Sequence, residues 1–424
     1  MGRGAPRVLP ATNGGAKEGR GVPHGLSLLS TVLMGLFLVL GIGSALFAII
    51  SFADGVRFSR RVGASLRNDV GFAARVAVLM PVRGSDPTLD RTLEALAAQE
   101  HRDFRVVFIT DPEDPVAAHL RGADLGRPTA VVEAHPRTGC SGKIAALLSG
   151  LEHLEEEDDV VVFADSDIVP DRSWLRSLLG PLRDAKVAAS TGYRWYFPLQ
   201  GGLGPGLQSA WNSAASNVLF SPQWQYLWGG SYAIRRPVLE GLDIESRWAE
   251  SLSDDMVMTQ ALRERGHRMA FAPRATVANY TGKSWGEVLR WTTRQTLLAL
   301  LYNPAMRRLT VPYALHVGSF VLGLLAVALS AIAPPLLIAA ALLLSPAYLG
   351  LVKGALRRAA FARSMPAFRE EFRRHRFWFY LGTFALPFVM LYNVRKASRM
   401  SAFEWRGKVY RFTSPHDIRM ETEG

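Results

Sequence analysis

Apolar positions follow two different rhythms along this chain. Between Leu26 and Ala53 they run on without a charged residue, and at about 1.5 Å per helical residue such a run is long enough to cross a hydrocarbon core about 30 Å thick. A cleaved signal segment would have a shorter apolar region ending at a small-residue cleavage site; none is seen, so the run is read as a retained anchor. A second uncharged block, Leu309 to Val352, is interrupted by Pro334 and Pro335, the pattern of two spanning helices joined by a tight turn. The last apolar run, Phe377 to Tyr392, is short and contains Pro387. It reads as a spanning or a re-entrant helix.

From about 70 to 305 the rhythm changes. Short β-branched runs alternate with amphipathic stretches, the signature of an α/β sheet with crossover helices. Val76 to Met80, Arg105 to Thr110 and Val160 to Ala164 read as buried parallel strands. Leu89, Leu93 and Leu96 recur at helical spacing, and Asp171 to Leu182 reads as a helix whose first residue can cap it. The glycine-rich stretch Gly201 to Gly206, with the loop onward to Gly230, reads as an irregular insertion facing an acceptor. The expected organisation is a tail at 1–25, an anchor at 26–53, an α/β domain at 70–305 and a helical hairpin at 309–353. A basic interfacial segment at 354–376, the short apolar run at 377–393 and a basic tail at 394–424 complete it.

Composition supports a soluble domain joined to membrane segments, because 49% of residues are hydrophobic and the mean hydropathy is +0.09. The net charge of +12 and the pI near 10.1 would suit nucleic acid, phosphates or an anionic lipid surface equally. Position decides among them. Arg57, Arg60, Arg61 and Arg67 follow the first apolar run, and Arg357, Arg358, Arg363, Arg369, Arg373, Arg374 and Arg376 follow the hairpin, with Phe361, Phe368 and Phe372 interleaved. Cations and aromatics beside apolar runs fit a bilayer surface, and no nucleic-acid partner is expected. By the positive-inside rule the α/β domain lies in the cytoplasm, in a multi-pass inner-membrane protein. If Phe377 to Tyr392 crossed completely, the tail with Arg395, Lys396, Arg399, Arg406, Lys408 and Arg411 would lie outside, against that rule. The basic start, with Arg3, Arg7, Lys17 and Arg20, is also against it. With one cysteine, Cys140, the chain has no internal disulfide and no thiol cluster for zinc. Its histidines show no ligand spacing.

The chemistry is carried by carboxylates. Asp165-Ser166-Asp167 directly follows the apolar run Val160 to Ala164, and residues at the carboxyl end of a strand line the ligand crevice of an open α/β sheet. Two such carboxylates can hold a hard divalent cation, which neutralises a diphosphate leaving group. Asp111 closes the second strand, although Asp111-Pro112-Glu113-Asp114-Pro115 is also a good turn sequence. Asp254 and Asp255 precede the helical run Met256 to Arg265; one serves as an N-cap and the other is free to act as a base.

Taken in order, these stations resemble family 2 glycosyltransferases, and within them the ceramide glucosyltransferases and their bacterial relatives. Pro81-Val82-Arg83-Gly84-Ser85-Asp86-Pro87, the Asp111 motif, Gly142-Lys143-Ile144, Asp165-Ser166-Asp167 and Asp254-Asp255 match the family's motifs over about residues 75 to 295. The next station supplies Arg290-Trp291 but has Glu287 where the family has Gln or Arg, and Asp254 stands where many relatives have Glu. Trp405-Arg406-Gly407-Lys408-Val409-Tyr410 resembles a tail of lipid-directed members.

The resemblance implies a GT-A fold, an α/β nucleotide-diphospho-sugar transferase domain, flanked by transmembrane helices. It implies a UDP-sugar donor and a lipid acceptor, ceramide-like or otherwise hydroxylated. Pro81, Val82, Arg83 and Asp111 would contact the nucleoside, while Asp165 and Asp167 would hold the ribose and Mn²⁺ or Mg²⁺. Asp255, beside Asp254, would be the base of an inverting transfer. Lys143 and Arg290 would balance diphosphate charge, and Trp291 would wall the acceptor; the plainer readings are a solvated helix lysine and an interfacial tryptophan. A processive polysaccharide synthase of the cellulose or hyaluronan type shares these aspartates but needs more spanning helices and the missing Gln. A catalytically silent membrane scaffold or lipid-binding protein is the remaining alternative, and nothing in the sequence sets an oligomeric state.

Overall fold

The computed structural model describes residues 1–2, 24–405, 408–415 and 417–422. Its centre is a sheet of β1 (Val76–Val82), β2 (Phe104–Thr110), β3 (Thr129–Glu133), β4 (Val160–Ala164), β5 (Val187–Pro198), β6 (Ser231–Arg235) and β7 (Arg268–Thr281). The order is β3-β2-β1-β4-β6-β5-β7. All neighbours are parallel except β6, which runs antiparallel to both β4 and β5. Val76 to Met80 and Val106 to Ile109 are 0% exposed, as strands covered on both faces must be. The chain moves outward from β1 to β3, then returns to place β4 on the other side of β1. That reversal opens a crevice at the carboxyl ends of β1 and β4, beside Val82 and Asp165.

The covering helices in this part are α2 (Leu89–Ala97), α3 (Val116–Arg121), α4 (Gly142–Leu151), α5 (Trp174–Leu179), α6 (Leu203–Ala215), α7 (Arg236–Glu240), α8 (Ile244–Trp248), α9 (Asp254–Glu264) and α10 (Trp285–Tyr302). Two expectations are corrected here. The helix read over Asp171 to Leu182 is α5 followed by a 3-10 turn, Gly180–Arg183, tightened around Pro181. Asp171 closes a local turn instead of capping it, accepting from the Ser173 N–H at 3.0 Å and hydroxyl at 2.7 Å. The glycine-rich stretch is not an irregular loop either, because α6 starts at Leu203 and is mostly buried. A Cβ on Gly206 would lie 2.2 Å from the Trp378 carbonyl oxygen, so glycine here permits a close helix crossing.

The apolar runs form α1 (His24–Arg67), α11 (Thr310–Leu329), α12 (Leu336–Ser364) and α14 (Arg376–Ala397), with the short α13 (Arg369–Arg374) before the last. All four long ones have the length and composition to cross a membrane. Val32, Leu36, Val39, Leu46 and Ile49 on α1 are exposed. Beyond the apolar run that ends at Ala53, α1 continues as far as Arg67 and buries Phe58 and Val62 in the core of the α/β domain.

The segment at 354–376 is not a separate interfacial element. Its first part is the last turns of α12, and its phenylalanines face protein: Phe361 and Phe372 lie 5.2 and 4.9 Å from Trp195, and Phe368 lies 5.8 Å from Phe197, ring centre to ring centre. Both ends of α14 touch the α/β domain. Near its start Gly382 meets Gly206, and near its end Asn393 accepts from the Thr293 hydroxyl at 2.9 Å. The tail then forms β8 (Ala402–Trp405), β9 (Lys408–Ser414) and β10 (Asp417–Thr422), an antiparallel sheet in the order β10-β9-β8. Phe403, Tyr410, Phe412 and Ile418 pack with Leu252, Leu297 and Leu300. The tail therefore packs against the α/β domain. Arg3, Arg7, Lys17, Arg20, Arg406 and Gly407 fall outside the described residues.

Candidate active site

The crevice is built from strand ends and helix starts. At the end of β1 the chain turns through Gly84, whose φ of +65° suits glycine. Its N–H donates to Asp114 at 2.8 Å, and Arg83 pairs with Asp111 at 3.0 Å. Asp111 thus belongs both to a turn and to the crevice wall. At the end of β4, the Asp165 N–H donates to the Gly230 carbonyl at 3.3 Å. Ser141 caps α4 by accepting from the Ile144 N–H at 3.3 Å, and this fixes Lys143 in the first turn. Its ammonium lies 2.8 Å from Asp165 Oδ1, 3.2 Å from Asp254 Oδ2 and 2.9 Å from the Gly229 carbonyl. The solvated reading of Lys143 fails on that geometry.

Asp254 opens α9, and Ser253 is the cap residue, so the aspartate is not the N-cap expected from sequence. Ser253 makes no side-chain cap; its hydroxyl donates to Asp255 Oδ1 at 2.6 Å, which also accepts from the Met256 N–H at 2.8 Å. Asp255 Oδ2 accepts from the Gly229 N–H at 2.8 Å. The carboxylate is held by three donors, with acceptor capacity remaining on Oδ2. Gly230 leaves no room for a side chain, and Gly229 leaves little. A Cβ on Gly230 would lie 2.2 Å from the Trp228 ring and 2.6 Å from Asp165 Oδ2, and one on Gly229 would lie 2.8 Å from Asp254 Oδ2.

Three carboxylates around one ammonium make the electrostatics uneven. Burial alone would lower the Lys143 pKa, but Asp165 and Asp254 outweigh it and hold the ammonium charged. Burial pushes Asp254 up to about 7, helped by Asp255 and Asp165 and opposed by Lys143. Asp254 Oδ2 has the Lys143 ammonium, at ion-pair distance, as its partner. Arg194 on β5 is a further cation that sequence reading missed. Its guanidinium lies over the rings of Tyr196, Trp228 and Trp291 at 5.0, 5.1 and 5.4 Å, and its Nε donates to Asn212 at 3.2 Å. A strand arginine among aromatics carries no local motif, so nothing in the sequence marked it.

Pro81, Val82, Arg83, Asp111, Lys143, Asp165, Asp167, Asp254, Asp255 and Trp291 all line one cavity of about 1350 Å³, larger than the few hundred to about 1000 Å³ usual for small-ligand sites. Tyr410 of β9 lines it too. Arg290 does not: it is exposed near the start of α10, and Arg294, one turn further along the helix, lines the cavity instead. Trp291 is 8% exposed and stands edge-on to Tyr196 and Trp211. Glu287 accepts from the Ser284 N–H at 2.8 Å in a capping box, a local role that accounts for a carboxylate at this position.

Among the described residues no group of three or more His, Cys, Asp or Glu side chains is arranged to hold a metal ion. Mg²⁺, however, usually takes one or two protein carboxylates plus substrate phosphates. Asp165 and Asp167, which follow β4 and line the cavity, are oxygen donors of the kind and number that such an ion takes from protein.

Comparison with known proteins agrees with this construction. The family described as "Glycosyltransferase like family 2" matches residues 74–297, more than half of the chain. A pre-mycofactocin glycosyltransferase of Mycobacterium tuberculosis is 33% identical over 113 residues, which is 27% of this chain and 22% of that protein. The match thus spans about a fifth of that relative's length. Among solved structures, the Pyrobaculum calidifontis mannosyltransferase PcManGT in complex with GDP-Man and Mn²⁺ is similar over 84% of this chain and 99% of its own, with 16% identity and a TM-score of 0.42. The Mycobacterium tuberculosis glucosyl-3-phosphoglycerate synthase in complex with Mn²⁺ and UDP-glucose is similar over 57% of this chain and 82% of its own, with 14% identity and a TM-score of 0.36. With its mixed sheet, its crevice at the β1 and β4 ends and its ordered aspartates, the chain belongs to glycosyltransferase-like family 2 and carries the GT-A-like fold of that family.

Proposed function

We propose that this chain is a membrane-embedded, inverting glycosyltransferase that takes a sugar from a nucleotide-sugar, a UDP-sugar by resemblance, and passes it to a lipid hydroxyl. The observation that carries the reading is the continuity of one cavity. It begins at Asp111, Asp165 and Asp255 and runs on to Ser51 of α1, Tyr313 and His316 of α11, Lys353 of α12 and Pro387 of α14. A donor site for a soluble nucleotide and an apolar approach for a lipid thus share one space.

In this reading Pro81, Val82, Arg83 and Asp111 hold the nucleoside at the end of β1. Asp165 and Asp167 would hold Mn²⁺ or Mg²⁺, which when bound neutralises charge on the diphosphate. Asp255 accepts the proton of the acceptor hydroxyl as its oxygen attacks the anomeric carbon from the face opposite the leaving nucleoside diphosphate. The Ser253, Met256 and Gly229 donors keep that carboxylate oriented. Lys143 faces the carboxylates as a permanent cation and balances the charge of the departing diphosphate. Trp291 and Trp211 wall the acceptor side. A ceramide-like acceptor and a cytoplasmic catalytic domain belong to the same proposal. For the domain's side, the support is the arginine-rich end of α1; for the tail's return to that side, it is the two docked ends of α14.

The test uses the full chain in proteoliposomes with labelled UDP-sugars and a lipid extract, the product being identified by mass spectrometry. Asp255→Asn is expected to slow transfer by about 10² to 10⁴-fold; a near wild-type rate removes Asp255 as the base, and absence of any sugar-lipid product removes the function.

A further inference from the structure

Lys353 lines the membrane end of the cavity, and Arg357, one turn further along α12, is a buried second cation beside it. Pro346, Gly350, Lys353 and Arg357 recur at helical spacing along one stripe of α12. Arg357 is 4% exposed and its Nε–H meets no acceptor. Lys353 reaches the Ser51 hydroxyl at 3.1 Å, and neither residue makes a salt bridge among the described residues. The nearest carboxylate on α1, Asp54, is already paired with Arg57.

Two like charges one turn apart repel each other, and burying a cation without a partner is costly. The surroundings are nonetheless shaped to keep them. Gly55 of α1 makes room for the lysine stem, since a Cβ there would lie 2.7 Å from Lys353 Cγ. The missing element is an anion.

Its source follows from depth and surroundings. From Leu336 to Lys353 and Arg357, α12 climbs roughly 26 and 32 Å at about 1.5 Å per residue, the thickness of a hydrocarbon core. The two cations therefore stand at the level of lipid phosphates on the side of the catalytic domain. Leu46, Ile49 and Ile50 of α1 and Val311 and Leu315 of α11 present exposed apolar side chains toward the same leaflet, a setting for acyl chains. We infer that Lys353 and Arg357 form a binding site for the phosphate of an anionic phospholipid, and that the acceptor is a lipid of this class, carrying a free head-group hydroxyl. The inference rests on the proposed lipid-directed transfer and adds the charge of the acceptor to it.

Lipid capture can be read without turnover. The full chain in neutral detergent is offered dihexanoyl phosphatidylglycerol, dihexanoyl phosphatidylcholine or inorganic phosphate, and retention is measured by native mass spectrometry together with the midpoint of thermal unfolding. Wild type should retain phosphatidylglycerol at least tenfold better than phosphatidylcholine and be stabilised by it. Lys353→Gln/Arg357→Gln should lose that preference, Lys353→Arg should keep it, and the exposed control Arg373→Gln/Arg374→Gln should behave as wild type. If the double variant folds poorly, Lys353→Gln alone should still weaken retention severalfold. Equal retention of the two lipids, unchanged preference in the double variant, or equal protection by inorganic phosphate overturns the inference. A protein that captures phosphatidylglycerol selectively but glycosylates no lipid sinks the proposed function and leaves the phosphate site standing. One that glycosylates only uncharged lipids, with no phosphatidylglycerol preference, sinks the inference and leaves the function.

Discussion

Replacing Lys143 by Met keeps the length of the side chain and removes the one ammonium shared by Asp165 and Asp254. At an effective dielectric near 20, contacts of 2.8 and 3.2 Å correspond to gross attractions of roughly 6 and 5 kcal/mol. Desolvation offsets most of this, but removing one partner of a buried pair typically costs about 3–5 kcal/mol because the other charge is left behind. Lys143→Met should therefore lower unfolding stability by ~3 kcal/mol at pH 8. The pH dependence has a definite sign. The folded-state pKa of Asp254 is raised from 3.8 to about 7, so the folded protein holds a proton that the unfolded chain releases. Its stabilising contribution is complete below about pH 4 and is lost as pH rises through about 7. Loss of Lys143, the main influence opposing that rise, extends the effect upward, so the deficit of the variant should be largest at pH 8 and at least halved at pH 5. Urea denaturation of the detergent-solubilised protein, followed by tryptophan fluorescence at both pH values, measures this. A deficit below about 1 kcal/mol at pH 8, or one equal at the two pH values, would refute the reasoning.

Three further outcomes are expected. Gly230→Ala drives a methyl against the Trp228 ring and the Asp165 carboxylate, so it should cost about 1–3 kcal/mol and abolish transfer, while Gly43→Ala, whose Cβ would meet nothing within 4 Å, should unfold and turn over as wild type. Arg294→Ala should lower kcat/KM at least tenfold and Arg290→Ala less than twofold, since only Arg294 lines the cavity; the reverse ranking would restore Arg290 to the site. Dialysis against EDTA should stop transfer, with recovery on adding Mn²⁺ or Mg²⁺; full activity in excess chelator would remove the ion from the scheme.

The sheet was legible where one strand is buried on both faces and ends in a turn, as at Val76, Phe104 and Val160. The aspartates were legible for a related reason: each follows such a strand or opens a helix, positions where a carboxylate reaches a crevice. Three features were hidden. Phe361, Phe368 and Phe372 look the same in sequence whether their apolar partner is a lipid tail or Trp195, because the hydrophobic effect does not distinguish them. Gly201 to Gly206 suggested a loop, whereas close packing of α6 against Trp378 and Gly382 is what requires the glycines. Arg290 was carried over by motif although Arg294, three residues beyond Trp291, shares its helix face. Arg290 lies four residues before Arg294 on nearly the same face, so spacing alone does not choose between them.

In the proposed membrane-embedded arrangement, the length of α1 past the bilayer sets a dimension. Of the 37 residues from Thr31 to Arg67, about 20 suffice for a hydrocarbon core, and the remaining ~25 Å of helix stands above it, fastened to the sheet by Phe58 and Val62. Such a strut fixes the altitude of the carboxylates over the membrane plane. Candidate acceptors would then be sorted by how high their reactive oxygen rides as well as by what it is attached to, and shortening or lengthening the strut by one turn would retune that choice without touching a single side chain in the cleft.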